Sequence, residues 1–213
     1  MTPDNIQKLF EVFAENMPNP KPELNYHNSF ELLCAVVLSA QTTDKRVNQV
    51  TPKLFSIAPD PKSLMNIELN VLEDILKPLG MSKTKSKFLH ELAKTLVENY
   101  DSKIPQTEEE LIKLPGVGLK TARVVLNVAF EKETIAVDTH IFRVCTRLGL
   151  SNSKNANKMS DELVQIVPKQ YLKNAHHYLI LHGRYICTAI NPKCENCIIS
   201  RFCSFNKQFT NNC

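Results

Sequence analysis

The chain has 213 residues, of which 43% are hydrophobic and 23% charged. This is the composition of a globular protein that can bury a core without disulfides, and 5 glycines and 12 prolines exclude collagen-like and low-complexity sequences. The net charge is +4, which is weak evidence for a polyanionic partner. No apolar run is long enough to cross a bilayer, and the first residues lack a signal-peptide pattern, so neither a membrane segment nor export is expected.

Hydrophobic residues recur at helical spacing in most of the chain, and no stretch alternates as a half-buried strand does. Two pairs resemble capping boxes that open helices, Asn28 with Glu31 and Thr107 with Glu110. In chain order, the predicted helical segments are 6–13, 28–38, 89–97, 107–114, 122–129, 141–148 and 178–186. We therefore expect an all-α protein of many short helices. The lysine-rich stretch 77–87 is interpreted as a solvated surface.

The segment Leu114-Pro-Gly-Val-Gly-Leu-Lys120 joins two predicted helices. Gly116 and Gly118 allow backbone angles barred to other residues, and the next helix begins with its N–H groups unpaired. Such a turn can bind a phosphate without base specificity. A P-loop and a dinucleotide fingerprint both need a preceding strand and other glycine spacings, so we reject both. A purely structural helix–turn–helix corner remains an alternative.

The cysteines are unevenly placed, with four of the seven in one short stretch, Cys187, Cys194, Cys197 and Cys203. Four thiolates at this spacing can close around one metal centre. Zinc sites usually pair two Cys-x2-Cys units and this stretch has one, so the spacing favours a four-iron–four-sulfur cluster while leaving zinc possible. A reducing compartment follows from the same pattern.

Asp138 lies just ahead of a predicted helix in an apolar segment, Ile135-Ala-Val-Asp138-Thr-His140-Ile-Phe-Arg-Val144. Its simplest role is that of a helix N-cap. A functional role requires a partner elsewhere in the fold.

These three motifs, in this order and at these separations, resemble the endonuclease III family, bifunctional DNA glycosylase/AP lyases of the helix–hairpin–helix superfamily. The resemblance extends over essentially the whole chain and includes 28–44 and 182–185. It implies one 4Fe-4S cluster on the four clustered cysteines. It also implies removal of oxidised pyrimidines from duplex DNA, followed by cleavage 3′ to the abasic site by β-elimination.

The resemblance implies two catalytic residues, Lys120 and Asp138. The Lys120 amine would attack the sugar C1′ of the damaged nucleotide, expel the base and leave a Schiff base. An amine must be neutral to attack, and we expect burial and the positive end of a helix to favour that form. Asp138 would assist deprotonation and stabilise positive charge on the sugar.

A base in a duplex must be flipped out before such chemistry. By resemblance, Gln41 fills the vacated space. Met81 stands where the family usually places a leucine wedge, and its apolar side chain can insert into the stack. Core packing is the alternative role of Met81.

The remaining DNA contacts implied by the resemblance are to the backbone. Gly116 and Gly118 would present N–H groups to the phosphate 3′ of the lesion, and Lys193 would extend from the cluster loop toward the backbone. His140 would reach DNA or be a buried structural histidine.

The resemblance predicts two helical lobes with a cleft between Lys120 and Asp138. Residues 22–132 would form a helical bundle with the hairpin, and 1–21 plus 133–213 an iron–sulfur domain. The expected partner is double-stranded DNA with damaged pyrimidines or abasic sites, without a membrane. We expect a monomer in the bacterial cytoplasm, associated with the nucleoid.

The sequence departs from the family in several places, including Leu119, where a basic residue is common, and a less basic cluster loop at 188–193. We therefore predict weaker DNA affinity than in a more basic relative. Three alternatives stay open: a mismatch glycosylase with the same cluster, a non-enzymatic module that binds damaged DNA, and an electron carrier.

Overall fold

The computed structural model describes residues 1–206, and the isolated Cys213 lies outside them. The first helices are α1 (Pro3–Asn16), α2 (Ser29–Leu38), α3 (Asp44–Ile57), α4 (Pro61–Met65), α5 (Leu69–Leu76) and α6 (Ser82–Asn99). They are followed by α7 (Glu108–Leu111), α8 (Leu119–Phe130), α9 (Thr139–Leu148), α10 (Ala156–Ile166) and α11 (Leu172–Tyr185). Short 3-10 turns lie at Lys77–Leu79, Lys169–Tyr171, Cys194–Asn196 and Ser200–Phe202. Residues 1–206 contain no strand, so the all-α prediction is confirmed.

The chain divides into two compact units. One is Pro22–Glu131, which contains α2 to α8. The other combines Met1–Lys21 with the chain from Lys132 onward. Each has its own hydrophobic core, and that of the second unit includes α1, α9, α10 and α11. That the units are separate domains with the boundaries expected above stays a prediction.

Side-chain caps explain why most of these helices begin where they do. Seven of the α-helices start behind a side chain that accepts a first-turn N–H, namely Thr2, Asn28, Thr43, Asp60, Thr107, Asp138 and Asn155. Each such cap stabilises its helix by about 1 kcal/mol. The pair at 28 and 31 differs from the prediction, because the Glu31 carboxylate accepts from the His27 N–H at 2.7 Å.

The helix after Thr107 is shorter than expected. It ends at Leu111, and a turn leads to Pro115. The stripe on α6 is buried as predicted, through Leu89, Leu92, Ala93 and Leu96. None of the described helices is long and apolar enough to span a membrane.

Candidate functional site

The hairpin turn between α7 and α8 needs a glycine at its first position. Gly116 has φ of 76°, a left-handed conformation that side chains disfavour. A Cβ there would lie 3.1 Å from Phe88 Cβ and 3.2 Å from Val37 Cγ1. Both the backbone angle and the close packing therefore exclude larger residues.

Gly118 differs from the sequence-based prediction, because its φ of −93° is open to any residue. It is the N-cap of α8, and a Cβ there would have no protein atom within 4 Å. Nothing within the described protein requires glycine at this position. The absence of a side chain leaves the first-turn N–H groups of α8 accessible to an incoming anion.

Lys120 is in the first turn of α8, two residues after Gly118, and its side chain is exposed. The expectation that the folded protein itself buries this residue is therefore wrong. Exposure leaves the amine accessible to a large ligand.

Asp138 is the N-cap of α9 and is half-buried. Its Oδ1 accepts hydrogen bonds from the His140 and Ile141 N–H groups, both at 2.9 Å. The structural role considered for this residue is thus present. The two N–H donors fix the position of the carboxylate at the start of α9.

The segment before Asp138 is fixed from two neighbouring helices. The Ser160 hydroxyl of α10 donates to the Ile135 carbonyl, and His176 of α11 pairs with the Ala136 carbonyl through Nδ1 at 3.0 Å. All four of these residues are buried. The backbone that carries the carboxylate is therefore held rigidly in its own unit.

Gln41 and Met81 share an unusual backbone conformation. Their φ values are 56° and 51°, in the left-handed region that costs a side-chain-bearing residue free energy. Both side chains are exposed, Met81 by 55%. Core packing is therefore excluded for Met81 in this conformation. Strained residues with exposed side chains are typical of functional sites.

The four clustered cysteines line one cavity of ≈ 390 Å³ that includes space open to solvent. Burial raises the pKa of the Cys197 thiol to about 11. Among residues 1–206, no three His, Cys, Asp or Glu side chains are placed to hold a single metal ion. Four cysteine thiols around one pocket match the four-cysteine ligand set of an iron–sulfur cluster.

Two arginines of α9, missed from the sequence, hold the loop that carries Cys187. Arg143 donates through Nε to the Cys187 carbonyl at 2.9 Å, and through Nη2 to the Gly183 carbonyl at 2.7 Å. Arg147 donates to the Thr188 carbonyl at 2.7 Å and to Cys187 Sγ at 3.4 Å. Their spacing of four residues places them on one helix face, a signal that the sequence did contain.

Three further histidine and lysine residues lie beside these arginines or at the cysteine-lined cavity. His140 is half-buried, with Nδ1 3.4 Å from Arg143 Nη2. Lys193 is exposed at the cavity rim, and its N–H donates to the Ile186 carbonyl at 2.9 Å. His182 is buried, its Nε2 lies 3.6 Å from Cys197 Sγ, and burial lowers its pKa to about 4.

Two family models match the chain. The HhH-GPD superfamily base excision DNA repair protein matches residues 34–169, and the iron–sulfur binding domain of endonuclease III matches residues 187–203. The second match covers all four clustered cysteines. Among curated relatives, endonuclease III of Rickettsia conorii is 46% identical over 200 residues, which cover 94% of this chain and 95% of the relative.

The chain belongs to the endonuclease III family. Endonuclease III of Escherichia coli K12 is 42% identical over 207 residues, covering 96% of this chain and 98% of that one. A solved structure of a trapped endonuclease III–DNA covalent intermediate has a TM-score of 0.92 and 38% identity, covering 99% of both chains. A thermostable thymine-DNA glycosylase at 22% identity and TM-score 0.84 shares the fold.

This protein is therefore a base excision repair DNA glycosylase with AP lyase activity that acts on damaged duplex DNA. Its cofactor is a 4Fe-4S cluster, and the zinc alternative is excluded by the endonuclease III iron–sulfur domain. The resemblance and the helix–hairpin–helix fold are confirmed. A binding-only module and an electron carrier are excluded as the main function.

Proposed function

We propose that Lys120 is the nucleophile of this endonuclease III. The observation that supports the role is its exposed side chain in the first turn of α8, beside an open helix start that can bind a phosphate. A nucleotide held there by its phosphate brings its sugar next to the amine. DNA bound over the site would exclude water from Lys120, which the protein alone leaves exposed.

The reaction proceeds through a covalent imine. The neutral Nζ forms a bond to C1′, and the glycosidic bond breaks with its electron pair leaving on the base, which takes up a proton. Opening of the sugar ring gives the Schiff base. Loss of a C2′ proton then breaks the C3′–O bond and expels the 3′ phosphate. Water releases Lys120 from the product.

Asp138 is proposed as the second catalytic residue. One of its oxygens is committed to the cap of α9, which holds the carboxylate in place. A carboxylate in that place stabilises the cation that develops on the sugar as the base leaves. The two residues come from the two units of the chain, which we propose are separate domains.

Gln41 and Met81 are proposed to enter the DNA stack when the nucleotide is flipped. Gln41 offers hydrogen bonds to the unpaired base opposite, and Met81 offers an apolar wedge. Their exposure and left-handed backbones support both roles. Gly116, Gly118, His140 and Lys193 are proposed as contacts to the DNA backbone.

The cluster ligands are proposed to be Cys187, Cys194, Cys197 and Cys203, which line the same cavity. The cluster, when bound, ties together a loop that contains little regular structure. We further propose that the enzyme is a monomer in the cytoplasm, associated with the nucleoid.

The decisive experiment is borohydride trapping on a duplex with one oxidised pyrimidine. The wild-type protein is expected to form a covalent adduct, and Lys120→Ala to form none. Lys113→Ala is the matched control, since Lys113 is exposed on the same hairpin. Equal visible absorption in all three proteins shows that the cluster is intact.

Two results would contradict the proposal. Base excision by the wild-type protein without an adduct would mean that water, not an amine, attacks C1′. An undiminished adduct in Lys120→Ala would assign the imine to another amine.

A further inference from the structure

Lys85 is a buried lysine for which the proposed chemistry has no use. It lies in the first turns of α6 and is 4% exposed, although the flanking lysines at 83 and 87 are exposed. The interpretation of 77–87 as a solvated surface is wrong at this position. Desolvation lowers the pKa of Lys85, which shows that the charged amine is disfavoured there. Packing alone would be better served by Met or Leu.

The hydrogen bonds of Lys85 converge on one turn. Its Nζ donates to the Leu79 carbonyl at 3.4 Å, and its backbone N–H donates to the Met81 carbonyl at 3.0 Å. No carboxylate among residues 1–206 forms an ion pair with it within 4 Å. The second bond is the i→i−4 bond of the first turn of α6, which any residue would make, so what the Lys85 side chain itself adds is the bond from Nζ to the Leu79 carbonyl.

The turn held in this way carries the proposed wedge. Leu79 ends a 3-10 turn, and Gly80 and Met81 then follow with φ of 70° and 51°. Glycine adopts a positive φ at no steric cost, but Met81 is strained in the left-handed region, and such strain persists only when the surroundings hold it. The result is a methionine side chain that is 55% exposed at the start of α6.

We propose that Lys85 is a positioning residue that fixes the turn 79–81 so that Met81 is presented to the DNA stack. The inference rests on the wedge role given to Met81. Insertion of an apolar side chain into a duplex is opposed by base stacking, so a mobile wedge would be pushed aside. A buried amine that donates to the Leu79 carbonyl holds the turn on the side before Gly80 and so opposes that movement.

The test compares two substrates. A duplex with one oxidised pyrimidine requires insertion of the wedge, whereas a single-stranded abasic oligonucleotide has no stack to enter. Lys85→Met keeps the volume and removes the side-chain donor. It is expected to lower kcat/KM on the duplex by about tenfold, the effect of one lost charged hydrogen bond. The rate of single-strand cleavage is expected to change by less than about twofold, which is no more than a neutral surface substitution causes.

Three further variants sharpen the comparison. Met81→Ala is expected to show the same substrate-selective loss, and the double variant to be no worse than the more affected single variant, because both act through one wedge. Lys94→Met, an exposed lysine on the same helix, is the matched control. If Lys85→Met does not fold, Lys85→Gln takes its place, because glutamine keeps an N–H donor. The kcat/KM of Lys85→Gln on the duplex is expected to fall less than that of Met81→Ala.

Each contrary outcome has a distinct meaning. Normal duplex activity of Lys85→Met beside a defective Met81→Ala overturns the positioning role alone. A defect of equal size on both substrates, with a lower Tm, assigns Lys85 to stability only. Normal duplex activity of Met81→Ala overturns the wedge role itself, and with it this inference.

Discussion

At the scale of single residues, Asp138 combines a structural and a proposed catalytic role. The carboxylate accepts two N–H groups at 2.9 Å as the cap of α9. The cap could be supplied equally well by asparagine, because Asn and Asp are similar in N-cap preference. Asparagine could not supply the negative charge. Substitution at this position therefore separates stability from chemistry.

We predict that Asp138→Asn leaves the Tm within about 2 °C of wild type, since the cap is retained. Adduct formation is expected to slow by about 100-fold, because a preorganised charge is lost. Rapid-quench borohydride trapping measures the rate, and differential scanning calorimetry the Tm. Asp138→Ala is the comparison variant, expected to lose about 1 kcal/mol of stability as well. Adduct formation by Asp138→Asn at the wild-type rate would remove the catalytic role.

His177 is a second residue whose substitution is informative, because it contributes to the pH dependence of stability. It is 7% exposed, its Nδ1 has no hydrogen-bond partner among residues 1–206, and the ring of His176 lies 5.3 Å away. Burial lowers the pKa of His177 to about 4, from an ordinary value of 6.5. The unfolded chain therefore binds a proton first as the pH falls, and the folded state loses stability between about pH 6.5 and pH 4.

We predict that His177→Phe removes this component of the pH dependence. Between pH 8 and pH 5, His177 is expected to lower the free energy of unfolding of the wild-type protein by about 2 kcal/mol. This corresponds to a fall of about 4–8 °C in Tm. The Tm difference between variant and wild type is therefore expected to shift in favour of the variant as the pH falls. Parallel Tm curves from pH 8 to pH 5 would contradict the prediction.

At the scale of elements, an ion pair braces the hairpin. Arg123 of α8 donates through Nε to Glu108 of α7 at 2.7 Å, and through Nη2 to the other carboxylate oxygen at 3.4 Å. The side chains are 13% and 32% exposed, so water screens the pair less than a surface pair. The pair joins the helices on either side of the turn that contains Gly116 and Gly118.

We predict a coupling free energy of about 1–2 kcal/mol from the double-mutant cycle of Glu108→Gln and Arg123→Gln, as for a partly buried two-point ion pair. Urea denaturation of the four proteins measures it. The exposed pair Asp74–Lys77, 2.7 Å apart, is the matched control and should show no measurable coupling. Equal coupling in the two cycles would mean that burial does not strengthen the hairpin pair.

At the scale of the whole molecule, much of the fold was predictable because helical periodicity and cap residues are local signals. Phe10 and Phe13 are buried as their spacing predicts, and Thr107 caps its helix. The four cysteines were visible for the same reason. The spacing of Arg143 and Arg147 places them on one helix face, but it does not show what that face contacts, because lysines and arginines usually face solvent. The partners of Lys85 and Arg147, the carbonyls of Leu79 and Thr188, are backbone groups that carry no sequence signal.

The exposure of Lys120 was likewise hidden from the sequence. Its position after the glycines is a local feature, whereas burial depends on what packs above the start of α8. The surroundings of Gly118 were hidden from the sequence as well. The backbone angle there is ordinary, and no atom of residues 1–206 outside the neighbouring chain lies within 4 Å of an added Cβ, so the described fold gives no reason for a glycine at this position.

The positive charge of the protein contributes to its affinity for DNA. The net charge is only +4, and the residue beside Lys120 is the apolar Leu119. Each phosphate neutralised by a lysine or arginine contributes about −0.9 to the slope of log K against log salt concentration. Leu119→Arg is therefore expected to bind an abasic-analogue duplex more tightly at low salt, with a slope steeper by about 0.9.

Filter binding between about 50 and 200 mM salt, the range over which phosphate contacts strongly change affinity, measures this slope. Leu69→Arg is the matched control, because it adds the same charge at an exposed position on α5. Equal steepening by both variants would show that the net charge alone governs affinity, and that the hairpin is no special point of contact. An unchanged slope in Leu119→Arg would mean that residue 119 does not lie beside a phosphate, which would weaken the backbone contact proposed for the hairpin glycines.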